Sequence, residues 1–104
     1  GYDVVDYFSV NPEFGTLDDM TALVDAAHER GIRVIMDLVV NHMADDHLIF
    51  MDAWGNLDSR YTDWFLWTNE YHTAYQSFGG YKDMPKLNHE NPEVRAYVLD
   101  IARF

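Results

Sequence analysis

Between Gly31 and Asn41 the chain reads Ile32-Arg33-Val34-Ile35-Met36-Asp37-Leu38-Val39-Val40, and this run limits the fold more than any other stretch. Apolar residues fall on both alternating faces of it, so a strand here is expected to be covered on both sides, as in a parallel sheet. An aspartate inside such a run needs a reason, because an ionised carboxylate buried without a partner costs several kcal/mol or more. Asp37 is therefore expected either to meet a cation or to face a functional cavity. Asn41 and His42 follow at the strand's carboxyl end, where ligands gather in α/β folds.

The preceding segment supplies the helix that such a strand requires. Thr16 is a good N-cap, Asp18 and Asp19 lie in the first turn, and Asp19 stands where a capping-box partner belongs. Leu17, Met20, Leu23, Val24 and Ala27 share one face, and Gly31 is the expected residue just past the helix end. A helix feeding a buried strand through so short a connection is half of a repeating α/β fold, either a closed barrel or an open doubly wound sheet.

Residues 43–88 lose this periodicity and form an excursion too long for an ordinary loop, so a small subdomain is expected. Eight of the chain's sixteen aromatic residues lie between Tyr61 and Tyr81, most of them expected to build that subdomain's own core, with Tyr81 open to a surface role. The spacing of Tyr61, Trp64 and Trp67 predicts a short helix. A further helix opens at Asn91-Pro92-Glu93 and buries Val94, Tyr97, Val98 and Ile101. The expected division is residues 1–42, then 43–88, then 89–104, with both ends reading as cuts through a longer protein.

Composition excludes several classes of partner. Seven basic against eighteen acidic residues leave a net charge of −11, which repels nucleic acid and anionic lipid surfaces. No segment is apolar enough for a membrane span or a signal core. Without cysteine there is neither a disulfide framework nor thiolate chemistry; the compartment stays open, with the cytoplasm favoured. Gly79-Gly80 is not followed by a helix start or by a P-loop lysine and hydroxyl, which argues against a nucleotide-binding module.

Gly1-Tyr2-Asp3, Glu13-Phe14-Gly15-Thr16, the stretch from Asp37 to His42, and Met84-Pro85-Lys86-Leu87-Asn88 together resemble the alpha-amylase family, glycoside hydrolase family 13, in order and in spacing. The resemblance implies an α/β fold, part of a (β/α)8 TIM barrel: one strand with its flanking helices and an inserted irregular B domain. The form Met-Pro-Lys-Leu-Asn is similar to the cyclomaltodextrinase, neopullulanase and maltogenic amylase group. Asp45-Asp46-His47 is similar to oligo-1,6-glucosidases, and the longer motif carries more weight.

By this resemblance Tyr2 stacks on a sugar ring and His42 hydrogen-bonds a sugar hydroxyl, roles for which a flat aromatic face and a neutral imidazole are suited. Asp37 would hold an arginine and so organise the floor of the active site. Asn41 corresponds to a calcium ligand of many amylases. The acidic residue that would help it is replaced here by Lys86, which cannot ligate a cation. Asn41 is therefore read as support for the B domain, calcium is disfavoured, and no other cofactor is expected. A transition-metal site from His42, His47, Asp45 and Asp46 lacks helical ligand spacing.

Retaining glycosidases use two carboxyl groups about 5 Å apart. The resemblance places the nucleophile and the acid/base beyond Phe104, so no catalytic residue is expected in this chain, and the isolated chain is expected to be inactive. One barrel strand without its neighbours is also expected to leave two open hydrogen-bonding edges and an uncovered apolar face along Ile32 to Val40. The implied function is that of part of a retaining α-glycoside hydrolase acting on α-1,4 glucans or maltooligosaccharides, with α-1,6 linkages as the open extension and the rest of the barrel as partner. A non-catalytic carbohydrate-binding or interaction protein on the same scaffold is the alternative.

Overall fold

The computed structural model describes residues 1–104 in two compact units, one of Gly1–Tyr7 with Val39–Phe104 and the other of Phe8–Leu38. The second unit contains α1, Leu17–Glu29, which starts as its capping chemistry requires. The Thr16 hydroxyl accepts from the Asp19 amide at 3.2 Å, and the Asp19 carboxylate accepts from the Thr16 amide and hydroxyl, each at 2.8 Å. Two donors that an open first turn would leave unpaired are thereby satisfied. Gly31, at φ 72°, closes the far end.

The open edges and uncovered face expected of one barrel strand without its neighbours are found, and the run is not itself a regular strand. The run 32–40 makes no ladder with another segment, and most of its apolar side chains are open: Ile35 is 92% exposed and Met36 75%. A strand exists only through the hydrogen bonds of its neighbours, and no other segment of residues 1–104 lies alongside this one to supply them. The expected burial of Asp37 falls for the same reason, since it is exposed. The apolar face of α1 is partly covered, with Met20, Val24 and Ala27 half-buried and Leu17 44% and Leu23 60% exposed.

The other unit is built on antiparallel contacts between short extended segments. The Met43 amide donates to the Pro85 carbonyl at 3.2 Å and the Leu87 amide to the Asn41 carbonyl at 3.0 Å, which sets His42 opposite Lys86. On its other side, the segment around Met84 to Asn88 meets residues 64–65 and 76–78, with Phe65 opposite Leu87 and Ser77 opposite Pro85. Trp67 opposite Tyr75 continues the pairing into a hairpin. Residues Gly1–Tyr7 join this unit because the Ala44 amide donates to the Val4 carbonyl at 3.0 Å and the Tyr7 hydroxyl to the His42 carbonyl at 2.8 Å.

Two α-helices pack in this unit. α2, Leu48–Ala53, is a single short element that periodicity does not reveal; its N-cap is His47, whose ring nitrogen accepts from the Ile49 amide at 3.1 Å. α3, Pro92–Arg103, starts as expected, with the Asn91 side chain accepting from the Glu93 amide at 2.8 Å and Pro92 at its first position. Val94 is its buried anchor, and Tyr97 packs partly against the core. The short helix expected around Tyr61 to Trp67 is a single 3-10 turn, Thr62–Trp64.

Phe50 is at the centre of the core, 1% exposed. It meets the rings of Phe65 and Tyr75 edge-on, with centroids 5.0 and 4.9 Å away, and stacks with Trp67 at 5.9 Å. Edge-to-face geometry places ring hydrogens on π faces and adds to area burial. Replacing Phe50 by Ala should cost about 3–5 kcal/mol of stability, because a cavity opens among rings that cannot collapse into it. Urea unfolding followed by tryptophan fluorescence checks this.

Candidate functional site

His42 lies at the point where the paired segments meet Gly1–Tyr7, and it is only 4% exposed. Its Nδ1 faces the Asn41 side-chain amide at 3.1 Å, and its Nε2 faces the Tyr2 carbonyl at 2.9 Å. A carbonyl only accepts, so the proton is on Nε2, and Nδ1 is left to accept from Asn41. The imidazole is thereby held as one neutral tautomer. Asn41 is exposed and acts on the paired segments through its backbone and on His42 through its side chain.

Tyr2 is gripped by its backbone, while its side chain is open; the residue is 58% exposed. The His42 ring also stacks on Phe78, with centroids 5.0 Å apart and planes inclined by 27°. Phe78 is 48% exposed and stands at the head of the turn Phe78–Gly80, where its amide donates to the Met84 carbonyl at 3.0 Å. Gly79 has φ 59°, and a Cβ there would come within 3.1 Å of the Tyr81 ring, so a glycine is what lets this turn close. The structure thus gathers Tyr2, Asn41, His42 and Phe78 around one imidazole. Asp37 belongs to the other compact unit.

Behind His42 lies a second group of polar side chains. Tyr7 donates its hydroxyl proton to the His42 carbonyl, and its ring packs edge-on against Tyr97 at 6.1 Å and obliquely against His47 at 6.0 Å. Burial pushes the Tyr7 phenol well above the ordinary tyrosine range, and burial does the same to Tyr97. The His47 Nε2 faces the Tyr97 hydroxyl at 3.5 Å. His47 is held below its ordinary pKa by burial, against the opposing pull of Asp6 and Asp46.

The family model for the catalytic domain of alpha amylase matches residues 1–104, the whole of the chain. This chain belongs to the alpha-amylase family. Neopullulanase 2 of Thermoactinomyces vulgaris is 43% identical over 110 residues, an overlap of 99% of this chain and 19% of that protein. Trehalose synthase/amylase of Mycobacterium tuberculosis is 39% identical over 127 residues, covering 100% of this chain and 21% of its relative. Among solved structures, cyclic α-maltosyl-(1→6)-maltose hydrolase of Arthrobacter globiformis superposes with a TM-score of 0.91 at 41% identity, over 98% of this chain and 24% of that one. The alpha-amylase of H. orenii gives 0.89 at 38% identity, over 99% and 25%. The chain therefore has the fold of the alpha-amylase barrel enzymes and spans about a fifth to a quarter of the length of these relatives.

The alpha-amylase resemblance raises calcium at Asn41, and the geometry here does not fit it. The Asn41 amide nitrogen is turned to donate to His42, and the residue paired opposite His42 is Lys86, a side chain that cannot ligate a cation. No group of three or more His, Cys, Asp or Glu side chains is placed to hold a metal.

Sequence reasoning does not single out Phe78 or Tyr7. For Phe78 a signal exists, since an aromatic followed by two glycines in a long excursion marks a tight turn that presents the ring. For Tyr7 none does: its role depends on a contact with a residue 35 positions away.

The His47 geometry sets a pH dependence. Its folded-state pKa is depressed, so as pH falls the unfolded chain takes up the proton first. The stability that His47 contributes is fully present above its unfolded value near 6.5 and is lost progressively below it. His47→Asn keeps a side-chain acceptor for the Ile49 amide without the titrating ring. Stability should fall less steeply in this variant than in the native chain from pH 6.5 downward, as read from urea unfolding at a series of pH values.

Proposed function

We propose that this chain supplies one wall of the sugar-binding cleft of a retaining α-glycoside hydrolase acting on α-1,4-linked glucans or maltooligosaccharides. The observation that carries this reading is the convergence of Tyr2, His42 and Phe78, two of them open aromatic side chains joined through one imidazole, in a chain matched along its whole length by the amylase catalytic domain. An exposed aromatic ring offers the flat apolar surface that the C–H face of a pyranose covers. The relative from Arthrobacter globiformis has been crystallised with maltose, which supports the same substrate class here.

In this reading Tyr2 stacks on the sugar and His42 meets one of its hydroxyls. Both ring nitrogens of His42 are engaged within the chain, so a hydroxyl reaching Nε2 shares or replaces the bond to the Tyr2 carbonyl. Exchanging one neutral hydrogen bond for another changes the free energy little. Asp37 organises the floor of the cleft by pairing with an arginine. Residues 1–42 correspond to a loop, a helix and a strand of the barrel, 43–88 to its B domain, and 89–104 to the start of the next helix. The nucleophile and the acid/base lie outside residues 1–104. Calcium plays no part.

Reducing-end release from maltodextrin by the full gene product, with NMR detection of the anomer first formed, tests the reading: retention of the α configuration is expected. Carbohydrate binding without turnover would instead favour a non-catalytic protein on this scaffold. Tyr2→Ala should lower kcat/KM by about tenfold, the loss of one aromatic contact worth about 1.5 kcal/mol. A chelator should leave the rate unchanged, and a rate that falls with EDTA and returns with Ca²⁺ would overturn the calcium assignment.

A further inference from the structure

We propose that Tyr7 is a positioning residue for substrate binding: its hydroxyl fixes the main-chain carbonyl of His42, and through His42 the Tyr2 backbone and the face of Phe78. The inference rests on the proposed sugar-binding role of His42 and adds a residue to that site.

The pairing of the segments leaves a place for such a device. In an antiparallel ladder, residues alternate between those that exchange hydrogen bonds with the opposite segment and those whose amide and carbonyl point away from it. Here Asn41 and Met43 bond to the 85–87 segment, while His42 faces Lys86 without a bond between their backbones. The His42 carbonyl therefore points to the outer edge of the ladder, where a buried acceptor needs a donor. Tyr7 provides it at 2.8 Å. Two positions further along, the Ala44 amide points to the same edge and donates to the Val4 carbonyl at 3.0 Å.

The Tyr7 side chain has little freedom to leave this position. Its ring is fixed by the edge contact with Tyr97 and the oblique contact with His47, and it packs against the hydrophobic core. Its phenol remains protonated across the neutral range, so the donor persists there. His42 is thus held at three atoms: Nδ1 by Asn41, Nε2 by the Tyr2 carbonyl, and its own carbonyl by Tyr7. With the carbonyl released, that peptide plane is held only by the Met43 amide on its other side, and a small tilt about this single bond shifts the imidazole. A misplacement of about 1 Å in a binding group is enough to weaken productive geometry severely.

A double-mutant cycle in the full gene product tests this, with kcat and KM for a maltooligosaccharide as the readout. Tyr7→Phe keeps the ring and removes the donor; it should lower kcat/KM by about 3–10-fold, mainly through KM, the effect of one hydrogen bond. In the His42→Ala background the same change should have no further effect, because the ring that Tyr7 positions is gone. An equal fold-loss in both backgrounds, or no loss in folded Tyr7→Phe, would overturn the inference and leave the substrate reading intact. Full activity in His42→Ala would overturn the substrate reading, and this inference with it. If Tyr7→Phe does not accumulate folded, 3-fluorotyrosine placed at position 7 alone retains the ring and makes the hydroxyl a stronger donor. A KM shift that requires His42 then supports the proposal, and its absence overturns it. The ring ¹⁵N shifts of His42 give a structural readout of the same variants, and a Tyr7→Phe spectrum with unmoved His42 nitrogens counts against positioning.

Discussion

Two backbone hydrogen bonds, from Met43 to Pro85 and from Leu87 to Asn41, join stretches of chain that are more than forty residues apart, and most of the larger unit's structure depends on that closure. Each bond contributes on the order of 1 kcal/mol net, too little to offset the entropy of ordering the loop between them. The offset comes from what the closure brings together. Met43 and Leu87, 0% and 3% exposed, are set within the cluster that includes Phe50, Phe65 and Val94. The pairing specifies register, and the apolar cluster supplies the stabilisation.

The same closure makes the candidate site. His42 sits between the two bonded positions, so its side chain and its backbone groups have directions fixed by the ladder on both sides of it. Tyr2 and Tyr7 come from one other stretch and Phe78 from a second, and they reach His42 by a carbonyl, a hydroxyl and a ring face respectively. A single imidazole thus has polar and apolar neighbours that no local sequence pattern could have brought to it.

What could be read from the sequence divides along this line. Helix starts at Thr16 and Asn91 were legible because a cap is chemistry within three residues, and both side chains accept where expected. The motif from Asp37 to His42 and the Met84 to Asn88 motif were legible as a pair of family signatures; their direct pairing through 41–43 and 85–87 is a tertiary fact that neither spells out. The run 32–40 is legible in what it needs: two-faced apolarity states the cover a strand requires, and one strand without its neighbours leaves that face open among residues 1–104. Asp37 was judged by the burial expected of that run and turned out exposed with it. α2 escaped because a six-residue helix carries little periodicity and histidine is not among the usual capping residues.

The hold on Tyr2 has a consequence for how such a cleft can diversify. His42 bonds to the carbonyl of residue 2, an atom that every amino acid has. That one bond is thus independent of the side chain the position presents. Exchange of Tyr2 for another aromatic, or for a smaller residue, would alter the shape offered to a ligand while the loop stayed tied to the same histidine. Attachment and selectivity are encoded at separate positions, so drift in one need not unmake the other.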